Sequence, residues 1–227
     1  MLSTLQQLNP NLSLSLITDD CFRVFGEVLT NFPVQCAYEW LEPLEIPETG
    51  NRYEPSIKDW ESSDIKTWLE DSYYGTMPVQ IGYCNGRNET VNGLEYHQGD
   101  EVLFAATDCV LFLGDYRTWD QQQPIDPEEL TYVFVPGGTA LRLYRTTMHL
   151  SPCTVTSEGY KTLIILPEGT NTPIDENQRR KDPYLFQRNK WLIAHEEHSI
   201  FTDQGVPVGL KKGPKQRFIY SLERKDT

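Results

Sequence analysis

From residue 77 onward, apolar and polar positions alternate in short runs. Period-two alternation puts successive side chains on opposite faces of an extended chain, which predicts strands near 78–83, 92–98, 101–105, 108–113, 131–135, 139–145, 147–152 and 160–166. The breaks fall at Cys84-Asn85-Gly86-Arg87-Asn88, Gly99-Asp100, Pro136-Gly137-Gly138 and Ser157-Glu158-Gly159, all turn-forming sequences. Short strands at this density favour an antiparallel sandwich or barrel over βαβ units. A final strand is expected over 217–222, followed by a charged, disordered tail at 223–227.

The first 76 residues read differently. Leu12-Ser13-Leu14-Ser15-Leu16 alternates and predicts a short strand, and Thr18-Asp19-Asp20 precedes one helical turn ending at Gly26. Residues 42–50 carry too much proline for a regular element. The strongest helical pattern covers 56–72, with Ser56 as cap and a stripe of Ile57, Trp60, Ile65, Trp68 and Leu69. The expectation is an N-terminal extension, 1–76, with one helix packed on a barrel at 77–222. An irregular insert at 115–130 belongs on the surface.

Composition narrows the class. A chain of 227 residues with 38% hydrophobic and 11% aromatic residues can bury a sizeable core. The formal net charge of −13 argues against nucleic acid and anionic membrane surfaces as partners. No apolar run approaches the roughly 20 residues of a membrane span, and the first residues lack the basic and apolar regions of a signal peptide. The five cysteines (Cys21, Cys36, Cys84, Cys109, Cys153) are scattered and include no C-x-x-C, the pattern of reduced cytosolic thiols. A cytoplasmic protein is expected.

The chemistry gathers in Gly93-Leu94-Glu95-Tyr96-His97-Gln98-Gly99-Asp100-Glu101. Glu95 and His97 share a strand face, and a turn at Gly99-Asp100 brings Glu101 back onto them. Two carboxylates and an imidazole in an apolar setting suit a divalent cation, because a buried carboxylate pair is costly without one or a shared proton.

Glu95-x-His97-x3-Glu101 is spaced like the first cupin motif. The stretch from Gly138 through Tyr144-Arg145-Thr146-Thr147-Met148-His149 to Cys153 is spaced like the second. Glu95 stands where the first motif usually has histidine, Tyr144 and Thr146 replace a Pro-x-Gly pair, and Asp108 replaces a closing glycine. The phrases 77–86, 94–97, 135–139, 166–173 and 189–195 further resemble a bacterial single-domain cupin family of formerly unknown function that includes sulfoquinovose isomerases. That resemblance implies a mainly all-β fold, a cupin-type antiparallel β-barrel (jelly roll). It implies a divalent metal ion with Glu95, His97, Glu101 and His149 as ligand candidates, and a homodimer or higher homo-oligomer. It also implies isomerisation of an anionic sugar, sulfoquinovose, to 6-deoxy-6-sulfofructose.

Moving a carbonyl between adjacent carbons requires a proton carrier near the metal, and the candidates are Glu95, Glu101 and His149, with Glu95 either ligand or base. Mixed nitrogen and oxygen ligands suit Mn, Fe, Co, Ni or Zn better than Ca or Mg. For the substrate, Arg145 shares strand parity with His149 and is expected to face the interior; Arg87 and Lys190 are expected to reach over the barrel mouth. Tyr83, Tyr96, Gln80 and Asn85 are candidate contacts, His195 a lid residue and His198 a surface histidine. Tyr144, His149 and Pro152 also form a phrase resembling ureidoglycolate lyase, which leaves a lyase as an alternative. A non-catalytic sugar-binding cupin is the other.

Overall fold

The computed structural model describes residues 1–179 and 181–221. Its strands, in chain order, are β1 (Ser13–Leu16), β2 (Gly26–Leu29), β3 (Asn51–Glu54), β4 (Val79–Gly86), β5 (Gly93–Tyr96), β6 (Glu101–Ala105) and β7 (Cys109–Asp115). They continue with β8 (Thr131–Val135), β9 (Thr139–Leu143), β10 (Thr147–Met148), β11 (Cys153–Thr154), β12 (Tyr160–Pro167), β13 (Leu185–Gln187) and β14 (Lys190–Ala194). One sheet has the order β2-β9-β6-β12-β4-β3, with antiparallel neighbours throughout. A second joins β1, β8, β7 and β10, with β11 also on β7. A three-stranded ladder β13-β14-β5 couples to β10 through a bridge between Glu95 and His149.

Alternate residues explain why the sheets close on each other. Leu103 and Ala105 of β6, Leu141 and Leu143 of β9, and Ile164 and Leu166 of β12 meet Leu111 and Leu113 of β7 and Val133 and Val135 of β8 in one buried core. The other parity of the six-stranded sheet, including Ile81, Phe104 and Ile165, is covered by Ala37, Leu41, Trp60 and Leu69 from helices in the first 76 residues. Outside the second sheet, Phe112, Tyr132 and Phe134 pack with Leu5, Leu12, Leu14 and Phe218. Strands covered on both faces carry unbroken apolar runs such as Val102-Leu103-Phe104-Ala105.

Several sequence expectations are corrected. The helix expected over 56–72 is two helices, Lys58–Glu61 and Asp64–Tyr73. Ser63 Oγ donates to Trp60 O at 2.6 Å at the break, a local bond that competes with helical pairing. The first helix follows Ile57 without a side-chain cap, so Ser56 does not cap it. A further helix, Val34–Leu41, was not expected. The run over 147–152 is a two-residue strand. Among the described residues of the last expected strand only Arg217 bridges, to Thr90; Leu222 and the tail at 223–227 lie outside them. Among the described residues no helix is long and apolar enough to cross a membrane.

Candidate metal centre and its cavity

β5 runs out at Tyr96, the chain turns through Gln98–Asp100, and Glu101 opens β6. This turn puts Glu95, His97 and Glu101 together, as the spacing predicts. His149 arrives by a long-range contact: Glu95 N donates to His149 O at 2.6 Å, and His149 N donates to Glu95 O at 2.9 Å. His97 Nε2 lies 3.6 Å from Glu95 Oε1 and 3.8 Å from Glu101 Oε2, while His149 Nε2 lies 3.2 Å from Glu101 Oε2. One ligand atom each from Glu95, His97 and His149 falls within 4.8 Å of the others. All four residues are buried.

The hydrogen bonds prepare the imidazoles. His97 Nδ1 meets Asn189 O at 2.7 Å, and His149 Nδ1 meets Thr147 O at 3.3 Å. A carbonyl only accepts, so each Nδ1 carries a proton. His97 Nε2 is left turned toward the cluster, whereas His149 Nε2 meets the Glu101 carboxylate at 3.2 Å, which also only accepts, so that nitrogen donates in metal-free protein and gives up its proton to bind an ion. Asn189 has a left-handed backbone, φ +56°, and its side chain accepts from Gln98 N and donates to Thr170 Oγ1. That fixed turn aims the carbonyl which orients His97, the arrangement expected behind a metal-binding imidazole.

Charge is balanced by Lys190, whose ammonium contacts Glu95 Oε2. Burial pushes the Glu95 pKa up, but Lys190 first, and His97 after it, outweigh burial and hold the carboxyl well below the usual range. For His149 burial lowers the pKa, and the Glu101 carboxylate more than reverses this. His97 Nε2 makes no hydrogen bond among the described residues, and Glu95 Oε2 completes no aligned one despite touching Lys190. Buried, unsatisfied lone pairs converging from nitrogen and oxygen donors fit a divalent ion. Glu95, His97 and His149 would hold it, with Glu101 beside both imidazoles.

The cluster opens into a cavity of ≈ 360 Å³. Cys84, Leu103 and Ile164 form the barrel end, amides of Asn51, Asn88, Asn92 and Asn171 line its wall with Tyr53, and Phe186, Ile200 and Phe201 add apolar surface. The Cys84 thiol is pushed up to about 12 by burial, an effect that Tyr160 only partly offsets, so it is not a thiolate nucleophile at neutral pH.

Of the expected substrate contacts, only Lys190 lines this cavity. Arg145 is exposed, bonded through Nη1 to Gln98 Oε1 at 3.0 Å; the chain turns at Arg145 and Thr146, so strand parity does not carry from His149. Arg87 is committed to the backbone carbonyls of Ile46, Pro47 and Ser157. Tyr83 faces the helical layer against Trp60, and Tyr96 stacks on Trp191 on the face away from Glu95. Gln80 clamps the backbone at Gly169 and Thr170, and Asn85 Oδ1 accepts from Thr162 N. The histidines exchange places: His195 is sealed at 1% exposure, with Nδ1 accepting from Glu197 N, whereas His198 lines the cavity beside Phe201. The turn after β14 carries His198 to the cavity. Tyr53, Asn171 and Asn189 were not singled out from sequence, although an asparagine suits a left-handed turn.

Two facing, mainly antiparallel sheets enclose an apolar interior with a carboxylate–imidazole cluster between strand ends, a mainly all-β barrel or sandwich. The family described as "Domain of unknown function (DUF4867)" matches residues 14–214, and the chain belongs to it. No curated protein matches the sequence. Among solved structures, the coconut allergen cocosin is similar at 14% identity and TM-score 0.29, over 38% of this chain and 21% of its own. Bacillus subtilis oxalate decarboxylase, a protein with Mn(II) centres, matches at 9% and 0.31, over 48% and 26%. Hydroxypropylphosphonic acid epoxidase from S. wedmorenis matches at 14% and 0.29, over 38% and 42%. This chain thus covers less than half of each of these proteins.

Proposed function

We propose that the protein is a metal-dependent aldose–ketose isomerase, with sulfoquinovose as substrate and 6-deoxy-6-sulfofructose as product. The observation that carries the reading is the buried Glu95, His97, Glu101 and His149 cluster opening into a small-molecule cavity walled by amides and a phenol. Such a wall offers alternating donors and acceptors to a hydroxylated chain. A bound divalent ion would supply Lewis-acid stabilisation of the negative charge that builds on oxygen during enolisation. Glu101, left beside both imidazoles when Glu95, His97 and His149 hold the ion, takes the proton from the carbon beside the carbonyl and returns it to the neighbouring carbon. His149, in contact with Glu101 Oε2 at 3.2 Å, positions that carboxylate beside the ion. The choice of a sulfonated sugar rests on the family resemblance; in the cavity, His198 is the donor left for the anionic end, since Lys190 is paired with Glu95. Tyr144 does not line the cavity, so the Tyr144–His149–Pro152 phrase brings no second observation to the lyase alternative.

The test is an aldose-to-ketose assay on protein purified without chelators, with sulfoquinovose and neutral hexoses. Turnover of sulfoquinovose is expected. No turnover of any aldose at full metal content would end the reading, and turnover of neutral hexoses alone would keep the reaction and change the substrate.

A further inference from the structure

β3 is an edge strand from the segment before residue 77, and its Tyr53 pairs across from Cys84 of β4. Directly opposed residues point to the same face, so the Tyr53 ring shares the barrel side with Cys84. The close approach of β3 is allowed by Gly82, where a Cβ would stand 1.9 Å from Glu54 O. From a loop after β12, Asn171 holds a left-handed backbone at φ +65° and donates Nδ2 to Tyr53 Oη at 2.7 Å. Such a conformation is uncommon outside glycine and persists where the surroundings enforce it.

Hydrogen-bond accounting for this pair leaves a remainder. Asn171 is 7% exposed, and its Oδ1 has no partner among the described residues. Because Nδ2 donates to the phenol oxygen, the phenol hydrogen is left to donate elsewhere. Reversing the amide exchanges the roles but again leaves one donor and one acceptor. Both residues line the cavity that holds Glu95, Glu101 and His149.

We propose that Tyr53 and Asn171 form one unit that grips a hydroxyl group of a polyhydroxylated substrate, donating to its oxygen and accepting its hydrogen. This deepens the isomerase reading and rests on it for the class of substrate. A site built around a substrate hydroxyl discriminates strongly, because its buried polar groups go unpaired when the hydroxyl is missing.

The experiment is isothermal titration of the metal-loaded full chain with sulfoquinovose, D-glucose and the non-isomerisable D-glucitol. Variants Tyr53→Phe, Asn171→Gly (which keeps the left-handed backbone) and their combination are compared with wild type. For the tightest probe, each single change is expected to weaken binding about tenfold or more. The double variant is expected to lose much less than the product, since the two act as a unit. Metal content should be unchanged. Wild-type affinity in Tyr53→Phe at full metal content overturns the proposal, and this variant decides alone if Asn171→Gly does not fold. A wild type that binds the probes but converts no aldose removes the isomerase reading and leaves the hydroxyl grip standing. A wild type that binds none of the three overturns both.

Discussion

Lys190 and Glu95 are a buried ion pair, with side chains 11% and 10% exposed, and Lys190→Met removes the cation while keeping most of the packed stem. Losing one partner of a buried pair costs about 3–5 kcal/mol when the other stays charged. In metal-free protein Lys190→Met takes away the strongest effect that opposes burial and leaves only His97 and His149 favouring the carboxylate; burial is then expected to prevail and the carboxyl to take up a proton. From an ordinary pKa of about 4.3, holding a carboxyl protonated costs about 3.7 kcal/mol at about pH 7 and about 1 kcal/mol at about pH 5. The sign differs between the two proteins. In the wild type the Glu95 pKa is depressed, so its contribution is present above the unfolded pKa and lost only as pH falls through the folded value. That contribution is nearly flat between about pH 5 and 7. In the variant the folded state binds one more proton than the unfolded state, so stability rises as pH falls. The stability gap should therefore shrink by about 2–3 kcal/mol between about pH 7 and pH 5. Urea unfolding of chelator-treated protein at several pH values measures it. A gap that is flat with pH, or under about 0.5 kcal/mol at about pH 7, refutes the ion-pair account.

His97→Ala and His149→Ala should each reduce metal content by more than about tenfold with the circular dichroism spectrum kept; elemental analysis showing full occupancy in both would remove the proposed centre. Asn189→Val forces a β-branched residue into φ +56° and moves the carbonyl that orients His97, so metal affinity should fall about 10–100-fold. Asn189→Gly, which tolerates that backbone, should lose less, as competition titration with a chelator would show. Arg87→Met should cost about 2 kcal/mol in chemical unfolding, because the carbonyls of Ile46, Pro47 and Ser157 lose their donor; its KM for sugar should not change, and a raised KM would restore the anion-binding role.

Legibility followed the range of the determining contact. β4, β6, β8 and β12 lie close to where alternation and turn residues place them, because both signals are local and the barrel core takes alternate residues along each strand. The Glu95, His97 and Glu101 grouping was legible for the same reason, since one turn within nine residues assembles it. Parity failed for Arg145, where the turn at 145–146 resets the face, and a local pattern has no means of announcing that reset. Lys190 was legible as a cation near the barrel but not as the partner of Glu95, which depends on the pairing of β14 with β5. Asn189 acts through its carbonyl, a group every residue has, so its side-chain identity carries only the turn. Tyr53 and Asn171 are separated by 118 positions, and the polar edge strand β3 shows no alternation to mark it. What they share appears only when donors and acceptors are counted in three dimensions. The first 76 residues, which read as an extension packed on a barrel, therefore also supply a wall of the cavity.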